Sequence, residues 1–255
     1  MNKNLFRQIL VILAVAVTIT INALADILPI NGLGTGQISD GFKVFFVPSG
    51  YVFSIWGVIY LGLIAYAIFQ VLPAQRENPR LQATAGLFLA SSVANCAWIF
   101  LWHYQLFVWT LLAMFILLVS LILMYLKLGI GRSTVTRAEN WLVRVPFSVY
   151  LGWITVATIA NVTDGLAYLK WSGWGIAPQA WAVIMLAVAV LVAALMALTR
   201  RDLAYLLVLV WAFVGIALKF ATVPLVAYAA WAASAVVVVF VLLIVILKGP
   251  AKKMA

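Results

Sequence analysis

The stretch VVVVFVLLIVIL, residues 236–247, is apolar at every position. A strand of a membrane barrel alternates apolar and polar side chains over about ten residues, whereas a buried or lipid-facing helix tolerates apolar side chains all round. The run therefore reads as helix, and the rest of the chain repeats it. A hydrocarbon core of ~30 Å takes about 20 helical residues to cross. Runs of that order recur eight times, near 6–28, 49–72, 82–103, 106–129, 141–163, 178–198, 203–220 and 224–247. Hydrophobic residues make up 67% of the chain and charged residues 9%, far from the roughly one-half apolar share of soluble domains. The fold class that follows is an all-α integral membrane protein with about eight transmembrane helices.

The charges fall in the breaks between runs. With the N-terminus in the cytoplasm, thirteen of the sixteen cations lie on the inner side, from Lys3 and Arg7 through Arg76, Arg80, Arg137, Arg144, Arg200 and Arg201 to Lys248, Lys252 and Lys253; only Lys43, Lys170 and Lys219 lie outside. This bias predicts that both termini are cytoplasmic and the number of spans even. It also accounts for the net charge of +10 without a nucleic-acid partner, since the cations cap membrane spans and do not line one soluble face. In a bacterial host the location would be the inner membrane. The start of the chain, MNKNLFRQ followed by ILVILAVAVTIT and Ala23-Leu24-Ala25, also has the form of a cleaved signal peptide, which would leave seven spans. Continuation of the run to Pro29 and the better charge alternation favour an uncut first span.

Reactive chemistry is sparse. One Cys, one His and six carboxylates supply neither a thiolate metal cage nor a nucleophile-base-orienter set, so no catalytic or metal-ligating residue is assigned. Cys96 reads as a small buried residue, and His103, at the outer end of the third span, as a solvated interfacial one. The outer loop PINGLGTGQISDGFKVFFV, with Gly32, Gly34 and Gly36, is the longest connection and has the length of a binding lid. Trp171 and Trp174 in the second long outer loop read as interfacial anchors. Lys219 lies at an outer span end, where a partner in Asp26 or Asp164 would dock the seventh span on the preceding ones.

Trp56 stands about 10 Å below the outer edge of its span, deeper than the interfacial belt. Asn22, Asn95, Trp98, Thr158 and Asn161 lie at comparable depth on spans 1, 3 and 5, and Trp153 lies near mid-membrane. Asparagines in lipid are costly, so these side chains should face one another or a cavity. Interhelical hydrogen bonds at about 0.6–2 kcal/mol each would explain any one of them. Several asparagines and tryptophans at one level fit an outward-opening pocket, apolar and aromatic with a few placed polar groups.

The run FVPSGYVFSIWGVIYLGL resembles the second-helix motif of the tryptophan-rich sensory protein or translocator protein (TspO) family. Asn95-Cys-Ala-Trp98 with Phe100 is similar to its third-helix Asn-x-x-Trp motif; Pro146-Phe147, Trp153, Ala157-Thr158 and Asn161 are similar to its fifth-helix pattern. Lys43-Val-Phe-Phe-Val-Pro48 follows the family's loop motif loosely, with Phe45 in place of the tryptophan and Val47 in place of a proline. The resemblance covers residues 6 to 165 and leaves spans 6 to 8 unmatched, which divides the chain into a TspO-like five-helix portion, 1–165, and a three-helix extension, 166–255.

The resemblance implies a five-helix bundle with an outer-half pocket for a tetrapyrrole such as protoporphyrin IX or heme, or for a related lipid-like molecule. Trp56 would line it, with Asn95, Trp98, Trp153, Thr158 and Asn161; the depth argument adds Asn22, and Lys43 would meet ligand propionates at the water boundary. Such binding is non-covalent and needs no resident cofactor, because nothing in the pattern suggests an axial haem ligand. The expected role is sensor or carrier. The competing readings are a multi-span transporter of a small molecule and a ligand-free membrane scaffold; catalysis is not implied. Besides the ligand, the partners expected are membrane lipids. A homodimer stays open, since the small-residue run AVAVLVAALMAL of the sixth span can pack within one chain or between two.

Overall fold

The computed structural model describes residues 3–28 and 30–248, with Lys248 described by its backbone alone. Lys252 and Lys253, counted among the inner cations, lie outside the described residues. The elements are α1 (Lys3–Ile27), a short α2 (Thr35–Asp40), α3 (Ile55–Val71), α4 (Pro79–His103), α5 (Phe107–Lys127), a short α6 (Arg137–Glu139), α7 (Val145–Tyr168), α8 (Pro178–Arg200), α9 (Leu203–Lys219) and α10 (Pro224–Lys248). All eight apolar runs are helices, and there is no strand among the described residues. Among the described residues seven are long and apolar enough to cross a membrane, α3 being counted with the 3-10 turn Gly50–Ser54 that leads into it. The eighth, α9, has 17 residues and a length of about 26 Å, a little short of the hydrocarbon core. One face of it is covered by protein, with Leu206, Leu209, Ala212, Phe213 and Ile216 fully buried, while Leu207, Trp211 and Leu218 stay exposed, so lipid alone does not surround it.

Local sequence sets the helix ends. Asn78 caps α4, its side chain accepting from the Arg80 N–H at 3.0 Å, and Pro79 at the first turn has no N–H to leave unpaired. Thr136 caps α6 by accepting from the Glu139 N–H at 3.1 Å. Pro146 cannot donate to the carbonyl one turn back, and the π-helical turn Asn140–Arg144 precedes it. Arg201, left-handed at φ 51°, ends α8, and Asp202 caps α9 through the Tyr205 N–H at 3.2 Å. That two-residue turn presses on the loop after α5: a Cβ at Gly131, where φ is +73°, would collide with the Arg200 carbonyl.

The helices form two parts. α1, α4, α5, α7 and α3 close a ring in that order, each packed on the next and α3 back on α1. α9 packs on the outside of α7, α10 on α9 and α8 on α10. This is the five-helix bundle with three further helices that the sequence implies, joined through α9. Gly215 lets the connection before α3 reach α9 closely, since any Cβ there would strike Val52; the Gly215 carbonyl accepts from Ser49 Oγ at 2.9 Å. One apolar core runs through both parts.

At the end where α1 begins, polar side chains stitch the ring. Gln8 and Gln70 each donate to the other's backbone carbonyl, at 2.6 and 3.0 Å. Arg7 donates to the Arg76 carbonyl at 3.0 Å, and Arg80 pairs with Glu139 at 3.2 Å. At the opposite end α2 lies across α4.

Candidate functional site

Beneath α2, between α3, α4, α5 and α7, lies a cavity of about 50 Å³ lined by Trp56, Trp98, Trp102, Trp153, Asn95 and Asn161 among others. A second hollow, of about 270 Å³, adjoins it on the α1 side and holds Asn22, Asp26 and Tyr60; the two share Thr35, Phe53, Trp56 and Trp98 as walls. Trp56 stacks on Tyr60 with ring centroids 5.7 Å apart and stands edge-on to Trp153 at 6.4 Å. Phe53 is edge-on to Trp153 at 5.7 Å, and Trp98 stacks on Trp102 at 5.1 Å. These are geometries that aromatic quadrupoles favour.

The asparagines are both wall and fastening. Asn22 Nδ2 donates to Asn95 Oδ1 at 2.6 Å and ties α1 to α4. Asn161 accepts from Trp98 Nε1 at 3.3 Å and donates to Thr110 Oγ1 at 2.9 Å, tying α7 to α4 and α5. Two buried polar atoms on the cavity wall have no partner: Trp153 Nε1, a donor, and Asp164 Oδ1, an acceptor. Asp164 is 2% exposed. An unpaired group of this kind carries a desolvation penalty of about 1–3 kcal/mol, larger if charged, which a complementary ligand atom would relieve.

Seven contacts with α2 and its flanks close the roof. Asp26 Oδ1 accepts from the Thr35 N–H at 3.0 Å. Trp102 Nε1 donates to the Thr35 carbonyl at 3.2 Å, and Asn31 Nδ2 to the His103 carbonyl at 3.1 Å. His103 is not solvated, as its position at a span end suggests, but 1% exposed. Its Nδ1 lies 3.0 Å from the Ile30 carbonyl and its Nε2 3.0 Å from Thr35 Oγ1. A carbonyl only accepts, so Nδ1 carries a proton. Phe42 packs edge-on to Phe107 at 4.8 Å. Lys219 meets neither Asp26 nor Asp164: its Nζ lies 2.6 Å from Asp40 Oδ1, at the last residue of α2. The reason is the fold of the outer loop, which carries Asp40 across to α9 while Asp26 is engaged with Thr35.

Six of the eight side chains expected at the site, Trp56, Asn95, Trp98, Trp153, Asn161 and Asn22, line the paired hollows. Two do not. Thr158 Oγ1 donates to the Ile154 carbonyl of its own helix at 2.7 Å. Lys43 borders a separate hollow of about 350 Å³, with Trp171 and Trp181, between the C-terminal end of α7 and α8. The structure adds Trp102, Phe53, Tyr60, Thr35 and Asp164. Trp102 and Asp164 follow Trp98 and Asn161 by four and three residues, the spacing that repeats a helix face, so that signal was present.

An aromatic-walled cavity inside a ring of apolar helices, roofed by a short helix, defines a polytopic α-helical membrane protein with an internal site. The family model described as TSPO-like protein matches residues 8–243, and the chain belongs to that family. No curated protein and no solved structure matches it. The family match crosses residue 165 and takes in α8, α9 and most of α10, so the last three helices lie within the matched region.

Proposed function

We propose that this protein binds a hydrophobic ligand of the tetrapyrrole or lipid-like class beneath α2, without covalent attachment, and serves as its sensor or carrier. The observation that carries the reading is the pair of unpartnered groups, Trp153 Nε1 and Asp164 Oδ1, on a wall otherwise made of tryptophan faces. A flat aromatic ligand with its own donors and acceptors satisfies both kinds of surface. Ligand sites usually have about 300–1,000 Å³, more than the cavity of about 50 Å³ under α2. Binding and withdrawal of α2 are therefore one event in this proposal, with the adjoining hollow of about 270 Å³ opened into the first. The roof faces the outside if the cation bias sets the orientation, with both termini and the Arg76, Arg137 and Arg201 loops cytoplasmic.

The test is a titration of the purified protein with protoporphyrin IX, a sterol and phosphatidylcholine, read by tryptophan fluorescence. Saturable quenching by the porphyrin is expected. Trp56→Phe should weaken it by about tenfold or less, while Trp211→Phe, outside the cavity, should leave it unchanged. No saturable binding by the parent protein, or equal loss in both variants, removes the proposal.

A further inference from the structure

A larger hollow lies away from this site. It is a groove of about 930 Å³ with α7 as its floor, between α3 on one side and α9 on the other. Its apolar walls include Val58, Leu207 and Trp211, all exposed on the outer surface of the bundle. At one end stand Arg144, Arg200 and Arg201, with Ser133 and Asn140. At the other end Trp211 donates to the Val52 carbonyl at 3.1 Å and closes the groove against the turn before α3. From Arg201 to Trp211 is about 15 Å along the helix axis.

The charge at the arginine end is not balanced. Among the described residues the ion pairs are Arg80–Glu139 and Lys219–Asp40, so none of the three arginines has a paired carboxylate. Asp202 is the single acid on the groove, and it is already engaged. Its Oδ2 accepts from Tyr125 Oη at 2.7 Å and Ser148 Oγ at 2.6 Å, and its Oδ1 from the Tyr205 N–H. Arg144 is 5% exposed. Its terminal nitrogens donate to the Leu128 carbonyl and to Ser133, but its Nε is buried without a partner. Glu139 acts on this guanidinium only without contact and is itself paired with Arg80, so a buried Nε without a partner is better satisfied when an anion completes it.

We propose that the groove is a binding site for one anionic phospholipid. The headgroup phosphate sits among Arg144, Arg200 and Arg201, and an acyl chain runs along Leu207 and Val208 towards Trp211. Basic hollows at the ends of membrane helices hold anionic headgroups in this way. The arginine end is also the end where the sequence gathers its cations, so the site faces the leaflet in which anionic lipids concentrate. The site does not depend on the ligand beneath α2.

Native mass spectrometry of the protein in mild detergent tests this, with phosphatidylglycerol and phosphatidylcholine added at equal concentration. One tightly retained phosphatidylglycerol is expected, and no retained phosphatidylcholine. Arg144 is buried, so Arg144→Gln risks the fold; the variant of choice is Arg200→Gln with Arg201→Gln, checked by its melting curve. Retention should fall about tenfold or more. Arg132→Gln with Arg137→Gln removes the same charge from exposed positions outside the groove and should leave retention unchanged. Equal retention of the two lipids, no effect of the Arg200 and Arg201 changes, or an equal effect of the Arg132 and Arg137 changes overturns the site. So does displacement of the lipid by millimolar inorganic phosphate, which would make it a site for a free anion.

Discussion

In the five-helix ring, side chains bond helix to helix: Asn22 to Asn95, Asn161 to Trp98 and Thr110, Gln8 to Gln70. In the layer of α8, α9 and α10, no side-chain hydrogen bond joins one of these helices to another among the described residues. The side chains with no exposed surface in these helices include Ala189, Ala193, Ala212 and Ala230, beside larger ones such as Leu209 and Phe213. Membrane helices gain nothing from leaving lipid for an equally apolar neighbour, so they associate either through polar bonds or through close van der Waals approach of small residues. This chain uses one device in each part. Polar fastening leaves room between helices for a cavity; alanine packing removes it. The cavity accordingly lies in the ring, and the layer offers a rigid back against which α7 is held.

The largest effect is expected where the two parts meet. Asp202 bonds Tyr125 of α5, Ser148 of α7 and the first turn of α9 together. Asp202→Ala removes two hydrogen bonds to a charged group and a helix cap, and should lower stability by about 3 kcal/mol or more. Asp202→Asn, which keeps an acceptor and the cap, should lose about half as much. Thermal unfolding in detergent, with limited proteolysis of the loop before α8, separates the variants. If the alanine form melts with the parent, the joint is held by packing alone and the comparison fails at its centre.

Next come the two fastening devices themselves. Ala193→Leu inserts three carbons into a closed contact and should destabilise by about 1–3 kcal/mol, whereas Ala193→Ser should be near neutral. Asn22→Leu tests the bond more than the shape: the branching and heavy-atom count are kept, but the bond to Asn95 is lost, at about 0.6–1.7 kcal/mol. A double-mutant cycle over Asn22 and Asn95 reads the coupling directly. Size tolerance at Ala193 together with no coupling across Asn22 and Asn95 would erase the distinction between ring and layer.

Much of this architecture was legible in the sequence because apolar runs of span length have one solution in lipid, the helix, and all eight were found. The depth argument also brought six side chains to the cavity from four helices. What could not be read were contacts made by the outer loop. Its helix α2 has six residues, TGQISD, too few for a periodic pattern. Without α2, neither Asp40 as the partner of Lys219 nor Thr35 as the partner of His103 can be inferred, and both residues look solvated. The division at 165 rests on motifs alone. The recognisable motifs end at Asn161, while the alanine-packed helices beyond carry no short signature, only composition, although the family match includes them.

The smallest expected effect on stability falls on the contact that links the layer to the roof of the cavity. Lys219 and Asp40 pair at 2.6 Å, but the Asp40 side chain is 59% exposed, so Lys219→Gln should change stability by less than about 1 kcal/mol. Its consequence is expected in the opening of α2. Ser39 lines the cavity and is buried; a cysteine placed there, with Cys96 changed to Ala, reacts with an external thiol reagent only when α2 lifts. Loss of the latch should raise the labelling rate by up to about fivefold, and 0.5 M salt should raise it in the parent by screening the same pair. The charge-reversed pair Lys219→Asp with Asp40→Lys should restore the slow rate. Labelling that ignores all three changes leaves the roof held by Asp26, Trp102 and His103 alone, and confines α9 to its role as a back wall.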